Sequence, residues 1–293
     1  MEIVLPLPGK RRIIWNFSGA IPAERFRLLS EVLPPAIPSL AEPEVVAQIS
    51  VREGKRPEID RNDPTVIRYG EGFSAFHSES GIELFFNPAS QPDANQLTLQ
   101  LERTVLYGIL PLVLSGEALI FHGALLNGKA GGVLLTGCSG AGKSTCARRA
   151  APLWEALADD MVLVTRDGDK YYAQGLPTWS QFLPGRPAEG RKRVDWNRII
   201  PLTAVFRLVH AERVDEVVDL SHLDRIGAVL SGACDFDGVW GVERSGCRQR
   251  LAVAEMDFSL KMERAVPVAG LNHTLNGDFP KKLDEYLCTR QMS

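Results

Sequence analysis

A glycine-rich segment in the middle of the chain has the residue types and spacing of a phosphate-binding P-loop. The pattern G-x-x-x-x-G-K-[S/T] lies between the apolar run GGVLLT and the helical run STCARRAA. Backbone N–H groups of such a loop point at phosphates and the following helix adds its dipole, so we expect a nucleoside triphosphate and Mg²⁺ to bind here. The predicted nucleotide-binding residues are Gly137, Cys138, Ser139, Gly140, Ala141, Gly142, Lys143, Ser144 and Thr145.

Three residues at the start of the helix have predicted roles of their own. Lys143 is expected to bridge the β- and γ-phosphate oxygens, and the Ser144 hydroxyl to complete the octahedral shell of Mg²⁺. Thr145 is expected to support the first helical turn. A chance glycine-rich turn, or a P-loop that binds no nucleotide, is the competing interpretation, and the flanking strand and helix argue against it.

A pair of acidic residues follows the predicted P-loop helix. Asp159 and Asp160 interrupt ALADDMVLV, which predicts an apolar strand, so they would lie where a parallel strand ends. Phosphoryl transfer to a hydroxyl needs a carboxylate that faces the metal and a base that receives the proton, and this pair can supply both. The alternative is a solvated turn at a strand end, because acidic residues are common in turns.

The pattern of predicted strands and helices changes near Gly116, which divides the chain into two parts. In the first part, short apolar runs alternate with turn residues, which predicts a strand-rich unit with one helix over Pro22–Leu33. A long amphipathic helix is predicted over Asp93–Leu114, and strands alternate with helices after Gly116. We therefore expect a smaller α+β domain over residues 1–116 and an α/β P-loop domain over residues 117–293.

Composition limits the class of protein and its partners. Apolar residues make up 45% of the chain and charged residues 24%, which is typical of globular proteins, and the net charge of −3 predicts no nucleic-acid partner. The apolar stretch Thr104–Leu126 contains Pro111 and Glu117, so it predicts no membrane span. The N-terminus lacks the order of a secretory signal, and the five cysteines lack zinc-type spacing. We therefore expect the cysteines to be reduced thiols and the protein to be cytoplasmic.

The segments FHGALLNGKAGGVLLTGCSGAGKST and ALADDMV together resemble the catalytic domain of the HPr serine kinase/phosphorylase family and its peptide-tailoring relatives. In that family a His-Gly pair, a hairpin, the P-loop and an Ala-Asp-Asp stretch follow in this order. The resemblance implies a P-loop kinase fold of the HPr kinase and phosphoenolpyruvate carboxykinase type. It also implies that Asp159 is the general base toward a serine hydroxyl, Asp160 a Mg²⁺ ligand and His122 a group near the transferred phosphate. Without the resemblance, His122 would be interpreted as a core histidine.

The resemblance is closer to the peptide-tailoring relatives than to HPr kinase itself. The chain lacks the Glu-x-x-Gly-x-Gly-Ile stretch of HPr kinases and has the basic segment Pro184–Arg193 in the corresponding region. This segment could close over the triphosphate, clamp an acidic substrate or form a solvated face; its basic residues are Arg186, Arg191, Lys192 and Arg193. The implied partner is a protein or peptide that carries a serine, while homo-oligomer formation stays open.

The sequence leaves two other functions open besides the serine kinase. One is a kinase for a small molecule, because a P-loop and carboxylates fit any hydroxyl acceptor. The other is a regulator that binds ATP as a switch and transfers nothing. A transport-type ATPase is disfavoured, because no apolar strand ending in Asp-Glu follows LSGAC. No Asn-Lys-x-Asp tetrapeptide occurs, which favours adenine over guanine.

Overall fold

The computed structural model describes residues 2–18, 44–53, 58, 66–68, 73–78, 81–87, 94–176, 195–234 and 245–291. These residues form a mixed α/β structure in two compact units, which confirms the predicted α/β class. The first unit lies within Met1–Ser115, Pro177–Asn197 and Asp237–Ala254, and the second within Gly116–Leu176, Arg198–Phe236 and Glu255–Ser293. The predicted helix Pro22–Leu33 and the basic segment Pro184–Arg193 lie outside the described residues.

The first unit contains a sheet of six strands, each of which matches an apolar run in the sequence. Its strands are β1 (Glu2–Leu7), β2 (Arg11–Ser18), β3 (Glu44–Glu53), β4 (Val66–Arg68), β5 (Phe73–Ser78) and β6 (Gly81–Phe86). Their order in the sheet is β1-β2-β3-β6-β5-β4. β3 is parallel to β2 and β6, and the other neighbours are antiparallel. The strand-rich character predicted for this part of the chain is confirmed.

Helix α1 (Ala94–Leu114) confirms the long predicted helix. The Trp15 indole packs against it, donates a hydrogen bond of 2.9 Å to the Thr104 carbonyl and stacks on Trp196 at a centroid distance of 6.0 Å. A Cβ at Gly108 would lie 2.3 Å from the Trp15 ring. The helix can approach the indole this closely because residue 108 has no side chain. Within the described part of the chain, no helix is long and apolar enough to cross a membrane.

The second unit contains a nine-stranded sheet. Its strands are β7 (Ala118–His122), β8 (Ala124–Gly128), β9 (Gly131–Thr136), β10 (Glu155–Ala158), β11 (Met161–Asp167), β12 (Lys170–Gly175), β13 (Ile200–His210), β14 (Glu216–Asp219) and β15 (Val268–His273). The order is β10-β8-β9-β13-β12-β11-β7, and β15 pairs with β13 and β14. The pairs β9–β13 and β13–β15 are parallel and the others antiparallel, so the sheet is mixed.

Helices form a core on each face of this sheet. They are α2 (Lys143–Arg149), α3 (His222–Cys234), the part of α4 (Ser245–Ala265) that begins at Glu255, and α5 (Phe279–Gln291). Leu134 and Leu135 are neighbours on β9 and therefore point to opposite faces. Leu134 belongs to a core with Phe258 of α4, and Leu135 to a core with Cys146 of α2 and Phe279 of α5.

The segment ALADDMVLV differs from the prediction of a single strand. It forms β10 and β11, and Asp159 and Asp160 lie between them. β10 pairs with β8, and β11 with β7 and β12, all antiparallel. The expectation that the two aspartates lie at the end of a parallel strand is therefore wrong. The polar pair interrupts the apolar run, and there the chain passes from one part of the sheet to another.

Gly108→Ala is expected to lower the free energy of unfolding by about 1–3 kcal/mol, because the added Cβ would overlap the Trp15 indole. This overlap outweighs the roughly 1 kcal/mol by which alanine favours a helix over glycine. The matched control is Gly227→Ala in α3, where no atom lies within 4 Å of an added Cβ. The control should raise stability by up to about 1 kcal/mol. Urea unfolding measures both, and equal effects would contradict the packing argument.

Candidate functional site

The predicted phosphate-binding loop joins β9 to α2 in the second unit. It runs from Gly137 to Gly142, and α2 begins at Lys143. Gly137 and Gly142 have φ values of 149° and 96°, which side-chain-bearing residues rarely adopt. A Cβ at Gly137 would also lie 2.9 Å from the Cβ of Ala141. The first and last glycines of the motif are thus required by the path of the backbone.

Lys143 and Ser144 tie the loop to its surroundings. Lys143 is 5% exposed, and its Nζ donates hydrogen bonds to the carbonyl oxygens of Gly137 at 2.7 Å and Cys138 at 3.1 Å. The ammonium group therefore lies along the loop. The Ser144 hydroxyl donates to the backbone carbonyl of Asp159 at 3.3 Å. This contact joins the first turn of α2 to the segment between β10 and β11.

The rim of the loop faces solvent, which leaves room for a phosphate group to approach. The exposed rim residues are Cys138, Ser139 and Gly140. The Ala141 N–H donates to the Cys138 carbonyl at 3.0 Å and closes the turn. Thr145 Oγ1 accepts a hydrogen bond of 3.3 Å from Arg148, one turn along α2.

His122 and Asp160 meet across β7 and β11. His122 is paired with Met161, and the Gly123 N–H donates to the Asp160 carbonyl at 2.8 Å. These backbone contacts place His122 Nε2 at 3.4 Å from Asp160 Oδ1. Both side chains are about one-third exposed or less, at 30% and 27%. A histidine and a carboxylate 38 positions apart in the sequence are thus adjacent at the surface of the site.

The pKa of the Asp160 carboxyl is raised. Burial penalises its charged form more than the nearby His122 and Lys143 stabilise it. Lys143 is one of the two positive groups whose charge acts on this carboxyl. A cation beside Asp160 would supply the stabilisation that its surroundings provide only in part.

The oxygens near the start of α2 fit the predicted Mg²⁺ site. The hydroxyl of Ser144 and the carboxylate of Asp160 are hard oxygen ligands of the kind Mg²⁺ prefers, with phosphate and water oxygens as the others. Asp159 contributes its carbonyl to the Ser144 contact, and its half-buried side chain lies in the same segment. In the ranges that the structure describes, no group of three or more His, Cys, Asp or Glu side chains could hold a metal ion.

Sequence reasoning missed a second layer of residues behind the loop. His273, at the end of β15, is 2% exposed, and its Nε2 lies 2.8 Å from the Ala141 carbonyl oxygen. Its Nδ1 lies 3.7 Å from Cys146 Sγ, and burial raises the pKa of that thiol to about 11. A lone histidine in VAGLNH gives no motif. The one signal is the strand itself, because parallel strands end at the same edge of a sheet.

The segment that follows β15 is fixed to the other end of α2. Arg149 donates hydrogen bonds to the carbonyl oxygens of Thr274, at 2.7 Å, and Gly277. The buried Asp215 accepts a hydrogen bond of 2.6 Å from the Thr274 N–H. The P-loop helix is therefore attached to this segment at its first and last turns.

A groove of about 580 Å³ lies at the beginning of β15, whereas the P-loop contacts its end. It contains none of the predicted site residues. Its lining residues are Asp219, His222, Arg225, Glu263, Arg264, Ala265, Val266, Pro267, Val268 and Arg290. Arg225 and His222 both contact the buried Glu263, so part of the local charge is compensated within the groove.

Arg149→Met is expected to lower the free energy of unfolding by about 1.5–3 kcal/mol, because two carbonyls lose a charged hydrogen-bond donor. Arg148→Met is the matched control, because the exposed Arg148 side chain donates a long hydrogen bond of 3.3 Å to Thr145 Oγ1. This substitution should lower the free energy of unfolding by less than about 0.5 kcal/mol. Urea unfolding compares the two variants. Similar losses for both would show that the contacts of Arg149 do not fix the segment.

A model of one protein family matches most of the chain. The family is described as SynChlorMet cassette protein ScmC, and its model matches residues 88–288. The match includes the P-loop, His122, the two aspartates and His273. A comparison with curated proteins found no match. Because the matched residues make up more than half of the chain, this protein belongs to the ScmC family of SynChlorMet cassette proteins.

Proposed function

We propose that this protein is an ATP- and Mg²⁺-dependent kinase that transfers the γ-phosphate to a hydroxyl group, the serine of a protein or peptide. The observation that carries the proposal is the grouping of Lys143, Asp160 and His122 beside the glycine-rich loop. A phosphate-binding loop alone supports nucleotide binding and gives no indication of phosphoryl transfer. Carboxylates and a histidine next to it add the groups that proton and phosphoryl transfer need.

Each residue has a distinct proposed role. The loop N–H groups and Lys143 would hold the β- and γ-phosphates, and Ser144 and Asp160 would hold Mg²⁺, which would offset phosphate charge. Asp159 receives the proton of the acceptor hydroxyl. The acceptor oxygen then forms its bond to the γ-phosphorus as the bond from that phosphorus to the leaving ADP oxygen breaks. His122 keeps Asp160 in place and lies near the transferred phosphate.

The resemblance to the HPr serine kinase family supports this assignment. On that basis we propose that the second unit is a kinase domain of the HPr kinase and phosphoenolpyruvate carboxykinase type. The first unit would then dock the substrate or join two copies of the protein. A cytoplasmic location is part of the proposal, because the reaction consumes ATP.

The family name guides the choice of acceptor. It calls its members cassette proteins and states no activity. The peptide-tailoring relatives that the sequence resembles act on precursor peptides, so a peptide encoded beside this gene is the first acceptor to test. Phosphosite mapping after incubation with ATP would identify the modified residue.

Lys143→Met is expected to weaken Mg²⁺-ATP binding by about 10–100-fold, because the charged donor to the phosphates is lost. Lys129→Met is the matched control, since Lys129 is exposed in the turn between β8 and β9 and should not alter the dissociation constant. Isothermal titration calorimetry at fixed Mg²⁺ measures both. Equal affinity for the Lys143 variant and the unmodified protein would contradict nucleotide binding by this loop.

Asp159→Asn is expected to reduce phosphate transfer by at least about 100-fold, because an amide cannot accept the hydroxyl proton. ATP affinity should change little, since the backbone carbonyl that contacts Ser144 is retained. The control is Asp169→Asn in the exposed turn between β11 and β12. Transfer is measured with γ-labelled ATP and candidate peptides.

Four results would contradict parts of this proposal. Full transfer by the Asp159 variant would overturn its role as base. Label found only in free phosphate would indicate ATP hydrolysis, and label on a small molecule but on no peptide would indicate the small-molecule kinase. ATP binding without any turnover would favour the regulator.

A further inference from the structure

His273 has the contacts of a residue that orients the phosphate-binding loop from behind. It is 2% exposed, and its Nε2 lies 2.8 Å from the carbonyl oxygen of Ala141, inside the motif. It lies on β15, 130 positions after Lys143 in the sequence. The contact is therefore made by the tertiary structure alone.

The partners of the ring determine which nitrogen carries the proton. A carbonyl oxygen only accepts, so Nε2 must be the donor toward Ala141. Nδ1 of the neutral ring is then an acceptor, and the thiol of Cys146 at 3.7 Å is the group that can donate to it. Both ring nitrogens are thus satisfied in a buried place. The ring is held between the loop and the first turns of α2.

This contact fixes the direction of a neighbouring N–H group. A trans peptide is planar, and its C=O and N–H bonds point in opposite directions. Because His273 holds the Ala141 carbonyl toward the interior, the N–H of Gly142 in the same peptide points away from it, toward the outer side of the loop. A Cβ at Gly142 would lie 2.7 Å from the His273 ring, so the ring also requires glycine there.

We propose that His273 is a positioning residue, which sets the Gly142 amide to donate to the phosphates of a bound polyphosphate. The inference rests on the proposed nucleotide site and adds to it a residue outside the sequence motif. Arg149 supports the same arrangement, since it donates hydrogen bonds to the carbonyls of Thr274 and Gly277, which lie one and four residues after His273. The end of β15 and the residues that follow it thus contact the loop at Ala141 and α2 at Cys146 and Arg149.

The experiment compares His273→Gln with His273→Leu in the full chain. The glutamine amide can donate to the Ala141 carbonyl in place of Nε2, whereas leucine cannot. Inorganic tripolyphosphate is the probe, and the Gly142 amide is followed by NMR in ¹⁵N-labelled protein. Leucine should weaken tripolyphosphate binding about tenfold and reduce the shift of the Gly142 amide, and glutamine should restore most of both.

His210→Leu is the matched control, because His210 is exposed next to His273 and should leave tripolyphosphate affinity unchanged. Thermal unfolding of both His273 variants without ligand separates stability from binding. Equal affinities for the glutamine and leucine variants would mean that His273 acts only in packing, and the inference would be wrong.

The outcomes also separate this inference from the proposed kinase. If the unmodified protein binds tripolyphosphate and only the leucine variant has a weakened affinity for it, the inference holds even when no phosphate is transferred to any peptide. If phosphate is transferred and the leucine variant binds like the unmodified protein, the kinase stands and the inference fails. If the unmodified protein does not bind tripolyphosphate, the inference is overturned, whereas the kinase is still decided by transfer from γ-labelled ATP.

Discussion

The one-residue connection at Gly123 is the constraint on which the candidate site depends. It joins β7 to β8, although these strands lie toward opposite ends of the sheet order. The two aspartates make the same passage in reverse, from β10 beside β8 to β11 beside β7. Connections this short require the sheet to bend until its two ends approach each other. The hydrogen bond from the Gly123 N–H to the Asp160 carbonyl holds the two connections together.

The bend explains why residues of the antiparallel strands β7 and β11 lie near the glycine-rich loop, which follows β9, a strand with a parallel neighbour. β8 lies next to β9, so a residue at the junction of β7 and β8 lies near the end of β9 and its loop. His122 and Asp160 reach the start of α2 in this way. The Ser144 contact with the Asp159 carbonyl is the direct link between the two parts.

Parallel pairing positions the other side of the loop. Thr136 and Gly270 both pair with Arg207 of β13, so the residues after Thr136 are level with the last residues of β15. The loop therefore has acidic and imidazole groups on one side and His273 behind it. Two buried or half-buried charges, Lys143 and Asp160, lie between these layers. Burial raises the pKa of Asp160, and perturbed pKa values are typical of sites that bind a charged ligand.

The local features of this protein follow from its amino-acid sequence. Glycine spacing and flanking patterns located the glycine-rich loop, and apolar periodicity predicted the strand-rich first unit and α1, because turns and short periods depend on adjacent residues. The neighbours of β10 and β11, the contact of His122 with Asp160 and the position of His273 were decided only by the tertiary structure. Strand pairing joins residues far apart in the chain, and no local pattern specifies which strands meet.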